Sequence, residues 1–191
     1  MKLPASGTYA FWLAILRIYV GATWIIHGVS KFTESATFMP PTGFIVDFIG
    51  KSVASTSGPY HDFLLNTVQP NISIFAELVR LGEVLAGCAL LLGIFTRVGG
   101  FVGVLLALNY MAAKGELGSA MGWTSLDAAM VVLSAVNLVL PTGRMLGIDA
   151  LLRRRRRAAV AVPVQPAVRV PSVEAEFVEE QPLAGPTAPK E

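Results

Sequence analysis

The chain has 191 residues, of which 53% are hydrophobic and 15% are charged, and its formal net charge is +2. Soluble domains carry about 25% charged residues. The several long apolar runs therefore exclude an ordinary soluble domain and indicate a polytopic membrane protein. The single cysteine, Cys88, excludes a disulfide framework or a CxxC pair within the chain. His27 and His61 are the two histidines, and they argue against a haem or metal site held by this chain alone.

The first apolar run covers about residues 10–29. It continues to Gly28 without an Ala-x-Ala cleavage site, so we predict a retained helix rather than a signal peptide. Ala14, Gly21 and Gly28 recur every seven residues and form a stripe that a neighbouring helix can approach closely. Arg17 shares that side of the helix and is expected to point into the bundle.

Residues 30–71 form a long loop that prolines and glycines interrupt. Residues 43–53 within it have an amphipathic pattern but are too short to span a bilayer. We predict that they form a helix lying over the bundle as a cap. A second short helix is predicted over residues 60–67.

The second span is predicted over residues 73–95 and carries Glu77, Arg80 and Glu83 in its first half. A charge at the centre of a membrane helix costs about 2.5–3.5 kcal/mol on insertion scales. The three charged side chains are therefore expected to avoid lipid and to meet polar groups from other helices.

The remaining spans are predicted over residues 98–114 and 124–140. Gly99, Gly103 and Ala107 give the third span a second close-packing surface. A very short link connects it to the second span.

These elements predict an all-α fold, a polytopic four-helix membrane bundle with a long outer loop after the first helix. We assign residues 1–152 to this domain and residues 153–191 to a basic anchor and a disordered tail rich in Pro, Ala and Val. Arg153, Arg154, Arg155, Arg156 and Arg157 are interpreted as a topology anchor rather than a nucleic-acid site. We expect the protein in the plasma membrane, and the distribution of Lys and Arg places both termini in the cytoplasm.

Polar side chains from all four spans are predicted to fall in the outer half of the membrane, as judged from the 1.5 Å rise per residue. Simple neutralisation would pair Arg17 with Glu83, and Arg80 with Glu77 or Asp127. The Arg17–Glu83 pair is expected to be structural. The polar side chains in the outer half of the membrane outnumber those that these ion pairs would use. They would suit a quinone headgroup, which needs hydrogen-bond donors and protons. The candidates for quinone binding or proton relay are Trp24, His27, Glu77, Arg80, Asn109 and Asp127.

Three segments resemble the DoxX/DoxD-like membrane proteins: LRIYVGATWIIHGVSKF (16–32), LGEVLAGCALLLGIFTRVGG (81–100) and GRMLGID (143–149). The resemblance covers about residues 10–150. It implies a four-helix bundle and, for the DoxD branch, the small membrane subunit of a thiosulfate:quinone oxidoreductase. The positions that match the family pattern are Arg17, His27, Gly28, Lys31, Gly82, Glu83, Thr96 and Arg97.

The expected function is an integral membrane subunit of a quinone-linked respiratory or redox complex. Electron transfer would require a partner protein that carries a redox cofactor, because this chain offers no ligand set for one; nucleic acid is not an expected partner. Two alternatives stay open: a non-catalytic accessory or scaffold subunit, and a small-solute or lipid transporter. The transporter reading has less support because no inverted repeat is evident.

Overall fold

The computed structural model describes residues 6–144 and 147–148, and these residues contain helices and no strand. The α-helices are α1 (Ser6–Thr33), α2 (Ser35–Phe38), α3 (Phe44–Ser55), α4 (Pro59–Phe63), α5 (Ile72–Leu92), α6 (Thr96–Ala113) and α7 (Leu126–Val139). A π-helical turn (Leu64–Val68) and a 3-10 turn (Gln69–Asn71) join α4 to α5. Further 3-10 turns lie at Gly122–Thr124 and Thr142–Arg144.

The long helices α1, α5, α6 and α7 pack as antiparallel neighbours, and glycines set the closest contacts. A Cβ placed on Gly21 of α1 would lie 2.6 Å from the backbone nitrogen of Leu91, and one on Gly28 would lie 2.9 Å from that of Val84. Only glycine fits at such distances. The predicted stripe of small residues on α1 is therefore confirmed as the surface that contacts α5.

Two glycines of α6 make the corresponding contacts with α7. A Cβ on Gly100 would lie 2.6 Å from the backbone nitrogen of Leu138, and one on Gly103 would lie 2.7 Å from Ser134 Oγ. Gly99 faces α5 instead, against Ala89. The small residues predicted on the third span thus pack closely, but they face two different neighbours.

The segment between α1 and α5 folds over one end of the long helices, and we refer to this end as the capped end. Ile45 and Ile49 on α3 are buried in an apolar cluster with Phe38 of α2. Leu64 and Val68, from the turn that precedes α5, and Ala76 of α5 complete the cluster. The predicted helix at 43–53 is confirmed as α3, and the predicted helix at 60–67 is present as α4 and its π-helical turn.

Among the residues that the structure describes, two helices, over Thr8–Thr33 and Thr96–Ala113, are long and apolar enough to cross a membrane. The helix α7 is apolar but has 14 residues, and α5 has 21 residues that include three charged side chains. Large apolar side chains are exposed along the outside of all four helices, as expected for surfaces that face lipid. They include Tyr19, Ile26, Leu78, Leu85, Phe101, Leu105, Val132 and Val139.

Several predictions fall on residues outside those the structure describes. They are the arginine anchor at 153–157, the tail that ends at residue 191, and Asp149 of the closing motif. The basic anchor and the disordered tail stay predictions.

Candidate functional site

A cavity of about 390 Å³ lies at the capped end, between the four long helices and the cap. Because His27, Lys31, Glu83, Lys114 and Asp127 line it, we call it the polar cavity. All four long helices and the cap contribute side chains to its walls: Thr23, Trp24, His27 and Lys31 of α1; Val79 and Glu83 of α5; Tyr110 and Lys114 of α6; Leu126, Asp127 and Met130 of α7; and Phe38, Phe44, Ile45 and Phe48 of the cap.

Glu83 is the centre of a closed hydrogen-bond network in this cavity. Its side chain is 1% exposed, and Lys31 Nζ lies 2.5 Å from both of its carboxylate oxygens. The hydroxyl of Tyr110 donates to Glu83 Oε1 at 2.6 Å and accepts from Lys31 Nζ at 3.0 Å. Charge-assisted hydrogen bonds of this kind are about twice as strong as neutral ones. The network therefore holds one buried negative charge with one positive charge and a neutral donor.

The spacing of residues on α1 explains how Lys31 reaches this carboxylate. Trp24, His27 and Lys31 follow at i, i+3 and i+7, so they share one face of the helix. Gly28 lies between them and lets α5 approach, because a Cβ there would lie 3.0 Å from Glu83 Cβ. In the sequence HGxxK, the glycine thus provides the close contact with α5, and the lysine about one turn later provides the cation that pairs with Glu83.

Aromatic rings complete the surroundings of the Lys31 ammonium. Its nitrogen lies 5.7 Å from the ring centroid of Phe38 and 5.4 Å from that of Tyr110. Cations within about 6 Å of an aromatic face are attracted by the ring quadrupole. Lys31 is therefore fixed by the cap as well as by Glu83.

A second ion pair lies at the edge of the same cavity. Lys114 Nζ is 2.5 Å from Asp127 Oδ2, and the Lys114 side chain is 42% exposed. His27 also lines the cavity but is exposed on its outer side. These three residues connect the cavity to the exterior of the capped end.

The predicted pairing of Arg17 with Glu83 is wrong, because Lys31 occupies that position. Glu83 packs level with Gly28, and eleven residues of helix separate Gly28 from Arg17, which is about 16 Å at the helical rise. Arg17 is fully buried much further along α1, where its Nη1 lies against Gly93 and Gly147.

The three charged residues of α5 do not share one chamber. At about 100° per residue, Arg80 and Glu77 are rotated about 60° and about 120° away from Glu83. They form the predicted ion pair with each other, and the Arg80 guanidinium lies 4.2 Å from the ring centroid of Phe32. Neither lines the polar cavity. The prediction that both belong to the same pocket as His27 therefore needs correction.

The structure separates the other predicted candidates as well. Trp24 and Asp127 line the polar cavity, and the Trp24 indole donates to Ser134 Oγ at 3.3 Å. Asn109 instead accepts a hydrogen bond from the hydroxyl of Tyr60 at 2.9 Å and lines a neighbouring cavity. Burial raises the pKa of the Tyr60 phenol above its usual value.

The remaining positions of the family pattern lie apart from the polar cavity. Gly82 lines the neighbouring cavity, while Thr96 and Arg97 begin α6 at the opposite end of the bundle. Thr96 is buried and Arg97 is exposed. Within residues 6–144 and 147–148, no group of three or more His, Cys, Asp or Glu is placed to hold a metal ion.

Sequence reasoning named Lys31 only as a position of the family pattern, and it did not identify Lys114 as a site residue. Helical spacing carried a signal for each of them: Lys31 follows His27 by four residues, and Lys114 follows Tyr110 by four. Each pair therefore shares a helix face. What the sequence could not supply is which faces of α1 and α6 meet Glu83.

The family model described as "TQO small subunit DoxD" matches residues 12–165. The chain belongs to the DoxD family. Family membership and the long apolar helices together identify it as a membrane protein. No curated protein and no solved structure matches the chain.

Proposed function

We propose that this DoxD-family chain is an integral membrane subunit of a quinone-linked redox complex and that its polar cavity binds the quinone headgroup. In this proposal all four long helices cross the membrane. The capped end faces outward, and the Lys and Arg residues that flank the other end lie in the cytoplasm. The family description as a subunit supports a partner protein that delivers the electrons.

The residues of the polar cavity fit a quinone ring in size and in chemistry. Its volume of about 390 Å³ lies within the roughly 300–1,000 Å³ typical of small-molecule sites. Aromatic side chains at positions 38, 44 and 48 supply apolar walls on the cap side. The two carbonyl oxygens of a quinone require hydrogen-bond donors. His27 has a ring N–H that can donate to one of them, and Lys31 can donate to the other by giving up its bond to the Tyr110 hydroxyl.

The observation that carries the proposal is the Lys31–Glu83–Tyr110 network, because it places a buried charge pair beside open apolar space. Charged groups inside a membrane protein are costly and mark functional pathways more often than not. Here the lysine ammonium and the tyrosine hydroxyl both lie at the cavity wall.

A quinone bound in the cavity would supply two-electron redox chemistry that is coupled to the uptake of two protons. Lys31 and His27 would orient the ring through their N–H groups, and Lys31 would hold a proton at Nζ. The Lys114–Asp127 pair and His27, at the exposed edge, would exchange protons with the aqueous side.

Quinone retention tests this function. The protein would be purified from quinone-containing membranes in mild detergent, and the bound quinone would be extracted and quantified against protein. Wild type should retain quinone, and Lys31→Met should lose most of it because the ammonium donor is removed. Lys51→Met is the matched control, since Lys51 is exposed on α3 and lies outside both cavities.

Two further variants sharpen the assignment to the polar cavity. Asp127→Asn should lower retention, whereas Arg80→Ala should leave it near the wild-type level because Arg80 does not line the cavity. Absence of quinone at every stage of purification would contradict the proposal. That result would favour an accessory subunit, a role consistent with the complete pairing of Glu83 by its two neighbours.

A further inference from the structure

A second cavity, of about 500 Å³, lies beside the polar cavity, between the cap and the helices α5 and α6. We call it the apolar cavity, because aliphatic and phenyl side chains form nearly all of its walls. Ile45, Phe48, Val79 and Tyr110 line both cavities. The ring centroids of Phe48 and Tyr110 lie 6.3 Å apart in an edge-to-face arrangement. The two cavities therefore meet at one shared wall.

The apolar cavity opens on the outside of the bundle. Leu78, Leu105 and Phe63 line it, and all three side chains are exposed on the outer surface of the protein. In a membrane this surface faces lipid. A ligand could therefore enter sideways from the bilayer without crossing water.

Few polar groups inside the apolar cavity are free to bind a polar ligand. Tyr60 and Asn109 are hydrogen-bonded to each other at 2.9 Å, and the hydroxyl of Tyr110 is bonded to Glu83. An unpaired polar ligand group would be desolvated here without a partner, which is unfavourable. The chemistry of the walls favours a hydrocarbon chain.

We propose that the apolar cavity holds the isoprenoid chain of the quinone whose headgroup occupies the polar cavity. This inference rests on the proposed function and extends it, because it assigns a second subsite and a direction of entry. Phe48 and Tyr110 would mark the junction of ring and chain. The chain would then pass Val79 and leave between Leu78 and Leu105 toward the lipid.

Gly82 offers a way to fill the apolar cavity alone. It lines this cavity and not the polar one. A Cβ at this position would lie 3.6 and 3.7 Å from the two methyl carbons of Leu106, which is ordinary van der Waals contact. A leucine at position 82 can therefore project into the cavity without a backbone collision. Gly50 is the matched control, because a Cβ there meets nothing within 4 Å.

The test compares two quinones with the same ring, a dimethoxy-methyl-benzoquinone without a side chain and the same compound with a decyl chain. Binding is followed by quenching of the fluorescence of Trp24, which lines the polar cavity, in full-length protein carrying Trp12→Phe and Trp123→Phe. The ratio of the variant Kd to the wild-type Kd is taken for each ligand, so that partition of the ligand into the micelle cancels.

Gly82→Leu should weaken binding of the decyl quinone by roughly 5- to 100-fold, as expected when a filled cavity is overpacked. Binding of the chainless quinone should change by less than about twofold, and this ligand also shows that the variant is folded. Gly50→Leu should change neither. If Gly82→Leu does not fold, Gly82→Ala should also weaken binding of the decyl quinone more than binding of the chainless quinone, by a smaller factor.

Three results would overturn the proposal. If wild type binds neither quinone, the proposed function fails and the chain subsite fails with it. If the chainless quinone binds but Gly82→Leu leaves the decyl quinone unaffected, only the chain subsite is wrong. Co-purification of a phospholipid that Gly82→Leu displaces without any effect on the decyl quinone would assign the cavity to a lipid acyl chain instead.

Discussion

The two halves of the α1–α5 pair show opposite ways of packing. Away from the cap, the backbones touch: a Cβ on Gly87 would lie 2.8 Å from the carbonyl oxygen of Gly21. Arg17, which α1 carries in this half, is buried against Gly93 and Gly147. At the capped end, large polar and aromatic side chains line the space between the helices, and both cavities lie there.

This difference shows how one pair of helices can supply both a rigid contact and a binding site. Small residues let helices approach until backbone atoms meet, which leaves no room for a ligand. Beyond Gly28 the contact ends, and the longer side chains of Lys31 and Glu83 meet across the space. On α1 the polar cavity extends from Thr23 to Lys31, so it overlaps the capped end of the glycine stripe.

The largest expected effect comes from removing the buried carboxylate. Glu83→Ala should lower the free energy of unfolding by about 3–5 kcal/mol, because it leaves the Lys31 ammonium without its partner in a largely buried position. Unfolding in mixed micelles with increasing denaturing detergent measures this quantity. Lys31→Ala/Glu83→Ala should recover part of the loss. Strictly additive losses, or recovery by Arg17→Ala instead, would contradict the observed pairing.

Removal of one hydroxyl from the same network should have a smaller effect. Tyr110→Phe deletes a donor to a buried carboxylate and should cost about 1.5–3 kcal/mol in the same unfolding experiment, the range for hydrogen bonds to charged groups. Tyr19→Phe is the control, since Tyr19 is exposed on the outside of α1. Equal stability of the two variants would show that the network does not contribute.

The glycine contact can be tested independently of the site. A Cβ on Gly87 would lie 2.5 Å from Ile25 Cγ1 and 2.7 Å from its backbone nitrogen. Gly87→Ala should therefore separate the helices and cost about 1–3 kcal/mol. Gly50→Ala, at an open helical position, should be neutral or stabilising by up to about 1 kcal/mol. A neutral Gly87→Ala would argue against the close packing of α1 and α5.

The smallest expected change in stability concerns the pair at the edge of the polar cavity. Lys114→Met removes a partly exposed ion pair with Asp127, and such pairs contribute about 0–1 kcal/mol. Its effect should appear in quinone retention instead, which we expect to fall. Lys51→Met should change neither quantity. A loss of stability as large as that of Glu83→Ala would place this pair in the core.

The positions of the long helices were predictable because long apolar runs bounded by Gly, Pro and charged residues specify them. The predicted spans at 10–29, 73–95, 98–114 and 124–140 each differ by one to four residues at their ends from α1, α5, α6 and α7. The cap helix α3 was predictable from its amphipathic pattern. Inside a bilayer every backbone polar group must be hydrogen-bonded within the protein, so a long apolar segment has few alternatives to a helix.

The pairing of charges was not predictable to the same degree. Local pairs such as Glu77 with Arg80 follow from helical spacing. The partner of Glu83 depends instead on the relative height and rotation of two helices, and these are set by backbone contacts at Gly21 and Gly28. An error of about four turns in that register exchanges Lys31 for Arg17.

The most direct test of the quinone site is a titration of the chainless quinone into protein whose only tryptophan is Trp24. We predict saturable quenching in wild type and in Lys51→Met, and an apparent Kd raised by about tenfold or more in Lys31→Met. Quenching that rises linearly without saturation, or that is identical in Lys31→Met and wild type, would contradict a headgroup held by the Lys31–Glu83–Tyr110 network.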